Sequence, residues 1–159
     1  FPHPLPGVVL EDYYLEHIVL CLSDGLLAQC GIDLDTHRGE IAAGNLSALC
    51  DCPFVLGSAE DIGGRIGRGL LRSSGVSPVS KATSENVETL LALCEQGVGA
   101  CFCPENLLHT ALSPAQLTHL HILPLCPEAS YPICFGYLSR SYPWSVLSEF
   151  IRIAREQTA

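Results

Sequence analysis

Positive charge is scarce in this chain: eight Lys plus Arg stand against 17 Asp plus Glu among 159 residues, a formal net charge of −9. The basic residues are scattered apart from the short run Arg65–Arg72. Nucleic acid is held by a concentrated positive surface that neutralises phosphates, so direct binding of DNA or RNA by this chain is excluded. No stretch approaches the roughly 18 uncharged apolar residues of a membrane span, and no signal-peptide pattern marks the chain for export. Catalytic signatures are missing as well. There is no G-x-S-x-G elbow, no H-E-x-x-H and no phosphate-binding P-loop. Gly64-x-x-Gly67-x-Gly69 inverts the dinucleotide spacing and sits inside a helical pattern. Nothing singles out a catalytic centre, and the chain reads as a non-enzyme that needs no cofactor.

Apolar residues, by contrast, make up 48% of the sequence, enough to build one core and too many for a disordered chain. Nine are cysteines: Cys21, Cys30, Cys50, Cys52, Cys94, Cys101, Cys103, Cys126 and Cys134. An odd number, mostly inside apolar runs, does not describe a secreted disulfide scaffold. Reduced, buried thiols in a cytoplasmic protein fit better, with Cys acting as a small hydrophobe. Cys50-x-Cys52, Cys101-x-Cys103 and His119-x-His121 are i, i+2 pairs that would share one face of a strand. None has the spacing of a zinc finger or ribbon, so a metal site is not expected.

Hydrophobic periodicity predicts strands at Leu15–Leu22, Pro53–Gly57, Val98–Cys103, Leu120–Leu125 and Ile133–Leu138. Ser23–Asn45 reads as mixed and turn-rich, followed by a short helix over Leu46–Cys50 with Asn45 as a possible cap. Asp61–Ser74 carries Ile62, Ile66, Leu70 and Leu71 at helical spacing, but its four glycines each cost roughly 1 kcal/mol in a helix interior. Gly75 is a natural stop. The clearest helix is Ser84–Gln96, with Val87, Leu90, Leu91 and Cys94 on one face and Ser84 as its cap. Pro104 opens a helix over Glu105–Leu112. Pro143 starts a terminal one with Trp144, Leu147, Phe150, Ile151 and Ala154 inward. Strands alternating with helices imply an α/β fold with a largely parallel sheet.

Three segments in order carry a resemblance. They are L-C-D-C-P-F-V-L at Leu49–Leu56, S-E-N-V-E-T-L-L-A-L-C-E-Q-G-V-G-A-C-F-C-P-E-N-L-L at Ser84–Leu108, and the closing Tyr131–Ile151. The succession resembles the effector-binding domain of LysR-type transcriptional regulators, from about Tyr14 onward. That resemblance implies a periplasmic-binding-protein-like (type 2) α/β fold of two subdomains joined by crossover strands, with a ligand cleft between them. It implies that residues 1–22 form a leader and outbound crossover, 23–118 the second subdomain, and 119–159 the return crossover with the last strand and helix of an incomplete first subdomain. The rest of that subdomain and the DNA-binding helix-turn-helix are then expected to lie outside this sequence. Trp144, Leu147, Phe150 and Ile151 would lack their usual cover, which predicts a homodimer or higher oligomer.

The same resemblance implies a small-molecule effector as partner, with no membrane, and DNA contacted only through the helix-turn-helix. Ser58, Ala59 and Glu60, in the loop entering the glycine-rich helix, match a pocket-lining position, although an ordinary helix cap would use the same residues. Ser84, Glu85 and Asn86 match a second such segment, again with capping as the alternative. Cys101 and Phe102 lie on the next strand, where alternation sends only half of the side chains toward a ligand. Glu60, Asp61 and Glu85 crowd acids near the mouth and disfavour an anion unless Arg65 offsets them. A solvated surface arginine is the other reading of Arg65. A solute-binding component of a transporter is the alternative function on the same fold.

Overall fold

The structure is a computed structural model and describes residues 6–139 and 145–158. It falls into two compact units: His17–Tyr131, and the segments Phe1–Glu16 with Pro132–Ala159.

The larger unit is organised by β1 (Val8–Ser23), whose C-terminal part is apolar without interruption. Ile18, Leu20 and Leu22 enter one hydrophobic cluster, while Val19 and Cys21 enter another. A strand sends alternate side chains to opposite faces, so an unbroken apolar run requires a sheet covered on both sides. That is the arrangement found. One face is covered by α1 (Asp24–Cys30), α2 (Leu34–Ala42), a one-turn 3-10 helix at Ser47–Leu49, and α3 (Ile62–Ser73), through Leu26, Ile41, Leu49 and Leu71. The other is covered by α4 (Val87–Glu95) and α5 (Glu105–Ala111), through Leu90, Leu91, Cys94 and Leu108.

β1 lies between β4 (Cys101–Pro104) and β5 (Leu120–Pro124), antiparallel to both, with Cys21 opposite Cys101 and Ile122. β2 (Pro53–Gly57) pairs in parallel with β3 (Val79–Ser84), with a register shift between Phe54 and Val55. The two sheets meet at a parallel bridge between Phe54 and Ala100, where the Val55 N–H donates to the Ala100 carbonyl at 2.9 Å. Parallel pairing is found between β2 and β3 and at this bridge. The parallel-dominated mixed sheet expected from the strand–helix alternation is mixed, with a smaller parallel share than that alternation implied, because β1 runs antiparallel to β4 and β5. A short α6 (Pro114–Leu117) carries a Ser113/Gln116 capping box just before β5.

Several expected boundaries shift for local reasons. Ser23–Asn45 is not turn-rich but holds α1 and α2. Ser23 Oγ accepts from the Leu26 N–H at 3.4 Å, and Asp33 accepts from the Asp35 N–H at 3.1 Å. These helices are only seven and nine residues long and bury one and two residues, too few for a period of 3.6 to register. The predicted Leu46–Cys50 helix is the 3-10 turn, entered where Asn45 accepts from the Ser47 N–H at 3.1 Å. β3 was not signalled, since most of its residues are exposed.

The glycine-rich helix is the clearest case of packing overriding propensity. A Cβ on Gly64 would stand 2.0 Å from the Ser58 carbonyl oxygen, and one on Gly67 would stand 2.4 Å from the Phe102 ring. These glycines let α3 lie directly against β2 and β4. The propensity cost of bare glycine is offset by the close approach it permits.

In the smaller unit, β6 (Ser130–Leu138) pairs with β1, and α7 (Ser145–Thr158) carries an ion pair from Arg155 to Glu11 at 2.8 Å. Tyr13 donates to the Ala154 carbonyl at 3.0 Å, and the Phe135 and Phe150 rings meet edge-on at 5.9 Å. Ile151, expected to lack cover, is buried, while Phe150 remains 58% exposed. Pro143 and Trp144 lie outside the described residues.

The glycines yield a paired prediction. Gly64→Ala should destabilise by about 2 kcal/mol or more, because its Cβ meets backbone that cannot rotate away. Gly69→Ala, whose Cβ meets nothing within 4 Å, should stabilise by about 0.5–1 kcal/mol through helix propensity. Urea unfolding of both variants checks the opposite signs.

Candidate functional site

In the larger unit, Gly57 and Ser84 are paired residues at the carboxyl ends of the parallel strands β2 and β3. Two loops therefore leave the sheet side by side, Ser58–Asp61 into α3 and Glu85–Asn86 into α4. The carboxyl ends of parallel strands, followed by helix N-termini with spare N–H groups, are where α/β folds collect polar ligands.

Each loop is held by its own side chains. Ser58 Oγ accepts from the Glu60 N–H at 3.3 Å, and Asp61 Oδ2 accepts from the Gly64 N–H at 3.0 Å as the N-cap of α3. Ser84 Oγ accepts from the Asn86 N–H at 3.1 Å and closes a turn. Asn86 Oδ1 accepts from the Thr89 N–H at 2.9 Å and is the N-cap of α4. The cap expected at Ser84 therefore belongs to Asn86, two residues later, since Ser84 is still the last residue of β3. Ser84 and Asn86 are both good capping residues, and hydrophobic periodicity does not reveal where the exposed strand β3 ends.

Ser58 and Ser84 are half-buried, and Ala59, Glu60, Glu85 and Asn86 are exposed. Ser58, Ala59, Glu60, Ser84, Glu85 and Asn86 are thus brought to one end of the sheet. Arg65 is an exposed residue of α3. Cys101 and Phe102 are not brought to this surface. Cys101 is fully buried and Phe102 is 6% exposed, its ring stacked on Phe54 at 5.9 Å and packed against Gly67. The apolar stretch around them is a strand covered on both faces.

Arg68 is a residue that the sequence did not single out. From the second turn of α3 its Nη2 donates to the Gly57 carbonyl at 2.7 Å, at the root of the first loop. The signal available was its position four residues after Gly64, on the helix face that meets the loop.

The cysteines are free thiols in this structure. Cys21, Cys94, Cys101 and Cys103 share the second core cluster. Cys21 Sγ lies 3.6 Å from Cys103 Sγ, and the Cys94 thiol donates to the Cys21 carbonyl at 3.2 Å. Hydrogen bonds with Cys21 and Cys94, together with burial, hold the Cys101 thiol well above its ordinary range. Burial, aided by nearby Cys30, pushes Cys52 from 9.0 up to about 12. Among the described residues, no group of three His, Cys, Asp or Glu side chains is arranged to hold a metal ion.

A mixed sheet covered by helices, with two capped helix N-termini beside its parallel strand ends, is the frame of a ligand-binding α/β domain. The LysR substrate binding domain family matches residues 1–159, and the chain belongs to that family. No curated protein matches the sequence. Among solved structures, the LysR family regulator HinK from Pseudomonas aeruginosa superposes with a TM-score of 0.70 at 17% identity, covering 99% of this chain and 51% of that one. The regulatory domain of Synechocystis CcmR, solved in complex with 2-PG, gives 0.69 at 12%, covering 98% of this chain and 70% of that one. The effector binding domain of QuiR, solved in complex with shikimate, gives 0.65 at 12%, with coverage of 99% and 68%. At these identities the likeness establishes the fold. The chain spans about half the length of HinK and of the regulator CbnR.

Asn86→Ala should cost about 1 kcal/mol as the loss of an N-cap, and Ser84→Ala at most about 0.5 kcal/mol; chemical denaturation separates them. Thiol chemistry gives a second check. Exposed Cys50 should react first with a disulfide reagent at pH 8, and Cys21, Cys94, Cys101 and Cys103 only as fast as the chain opens. Because the folded Cys52 pKa is raised, its contribution to stability is complete below pH 9 and is lost as pH rises toward about 12. Cys52→Ala should therefore flatten the alkaline decline in melting temperature.

Proposed function

We propose that this chain is the effector-sensing part of a LysR-type transcriptional regulator, binding a small metabolite at the paired loops Ser58–Asp61 and Ser84–Asn86. The observation that carries the reading is the pairing of Gly57 with Ser84, which sets two helix entries side by side at one sheet end in a chain of this family. The family match favours this over a transporter's solute-binding component. Ser58, Ser84 and Asn86 supply short polar side chains, with Ala59, Glu60 and Glu85 bordering them. Arg65 stands one turn into α3 as a second-rank contact, and Cys101 and Phe102 back the site from the core. Residues 1–22, 23–118 and 119–159 serve as outbound crossover, effector subdomain, and return crossover with the terminal strand and helix.

No bond is made or broken in this function. An effector alters the regulator only through different affinity for two arrangements of its subunits, in a dimer or higher oligomer. DNA is contacted by a helix-turn-helix elsewhere in the regulator, in the cytoplasm, while this chain's net charge of −9 repels phosphate. Among the described residues no helix is long and apolar enough to cross a membrane.

Amide resonances of the isotopically labelled chain, titrated with pools of small metabolites, test the reading. Saturable shifts centred on Gly57–Asp61 and Ser84–Asn86 are expected from at least one pool. Shifts confined to other surfaces, or none with any pool, would remove the site. In parallel, duplex DNA at 0.15 M salt should show no anisotropy change with the chain, and micromolar binding would contradict the assignment of DNA contact to another domain.

A further inference from the structure

We propose that Cys21 and Cys103 form a redox latch, two buried thiols that a peroxide converts to a disulfide tying β1 to β4. The proposal stands whether or not the paired loops bind an effector.

Four thiols meet in one layer of the larger unit: Cys21 on β1, Cys101 and Cys103 on β4, and Cys94 on α4. Filling space with small side chains is the ordinary use of buried cysteine. The placement of these goes further. Cys21 Sγ lies 3.6 Å from Cys103 Sγ, so the two sulfurs touch, and a further closure of about 1.5 Å makes a disulfide. In strand register Cys21 stands opposite Cys101, and Cys103 stands opposite Val19, so the bond crosses the two strands diagonally. Cys101 is engaged elsewhere as well, hydrogen-bonded to both Cys21 and Cys94.

The surroundings also assign the roles of the pair. Hydrogen bonds from Cys101 and Cys103 hold the Cys21 thiol well below its ordinary range, against the opposing effect of burial. The thiolate is the attacking form, so Cys21 is the nucleophile. Its sulfur takes one oxygen of hydrogen peroxide, the O–O bond breaks, and the departing hydroxide leaves as water with the proton released by Cys21. Cys21 is then a sulfenic acid. The Cys103 sulfur attacks the Cys21 sulfur, the S–O bond breaks, and hydroxide leaves with the Cys103 proton as a second water. The two thiols have lost two electrons and the peroxide has gained them. Both side chains are fully buried, so oxidation waits on local opening, and the bond once formed is sheltered from reductants.

Closure reaches beyond the two sulfurs. Phe102, between Cys101 and Cys103, faces the other side of β4, where its ring stacks on Phe54 and packs against Gly67 of α3. Drawing Cys103 toward β1 therefore moves that ring against α3.

The test alkylates the native chain with iodoacetamide, which caps exposed Cys50 and the partly exposed Cys30, Cys126 and Cys134, and then adds hydrogen peroxide. The expected product is lighter by two hydrogen atoms, yields a digest fragment joining Cys21 to Cys103, and reverts with dithiothreitol. The Gly67 amide resonance should shift on oxidation and return on reduction. Cys103→Ala should form no such bond and carry an added oxygen at Cys21, while the native chain decides the matter even if that variant folds poorly. Oxygen adducts without a bond, a bond between other cysteines, or a bond formed only in urea would overturn the proposal. A Cys21–Cys103 bond that leaves Gly67 unmoved would also overturn it, as an inert crosslink rather than a latch.

Discussion

Everything in the larger unit hangs on the burial of Ile18–Leu22 from both sides. A strand with one wet face could tolerate helices on the other face only. Because Ile18, Leu20 and Leu22 face one cluster and Val19 and Cys21 the other, both layers of helices are required for either to be stable. The antiparallel register with β4 and β5 then fixes the rest, since a slip of one residue would exchange the two clusters. Deep burial at Cys21 and Cys101 explains why small thiols stand there.

From that centre, close backbone packing carries the geometry outward to the candidate site. The bridge of Phe54 to Ala100 ties β2 to the central sheet, and Gly64 and Gly67 seat α3 against β2 and β4. The seating leaves no side chain between α3 and the Ser58 carbonyl, so the loop is fixed by contact with backbone. A small shift of α3 would therefore move Ser58, Asp61 and Arg68 together. Under the proposed function, a ligand gripping the loop would also grip the helix.

Much of this was legible in the sequence where burial leaves an unmixed pattern. Pro53–Gly57 is the observed β2 to the residue, Leu120–Leu125 overruns β5 by one, and the α3 periodicity survives four glycines because Ile66 and Leu71 still pack inward. What escaped has equally physical causes. β3 is an exposed edge with little apolar alternation, and its omission displaced the α4 cap from Asn86 to Ser84. Helices α1 and α2 bury too few residues to show a period. The burial of Cys101 and Phe102 is not legible either, because a sequence shows that a strand is apolar but not which layers cover it. Arg68 escapes a sequence reading because its partner is a carbonyl eleven residues away. The family resemblance supplied the two loops as a pair, which periodicity alone could not do.

The exposed edge at β3 has a consequence of its own. A free strand edge offers unpaired N–H and C=O groups to any other chain, and natural sheets discourage such pairing with charge and irregularity. Here Val79 is 56% exposed on that edge, the pairing with β2 skips Lys81 between Ser80 and Ala82, and the charge is supplied by that same Lys81, the only lysine in the sequence. Protection of this edge against aggregation, by charge and by irregular pairing, is thus concentrated at a single residue. Acetylation of that residue would remove the charge and leave only the irregular pairing to discourage templated assembly along this edge.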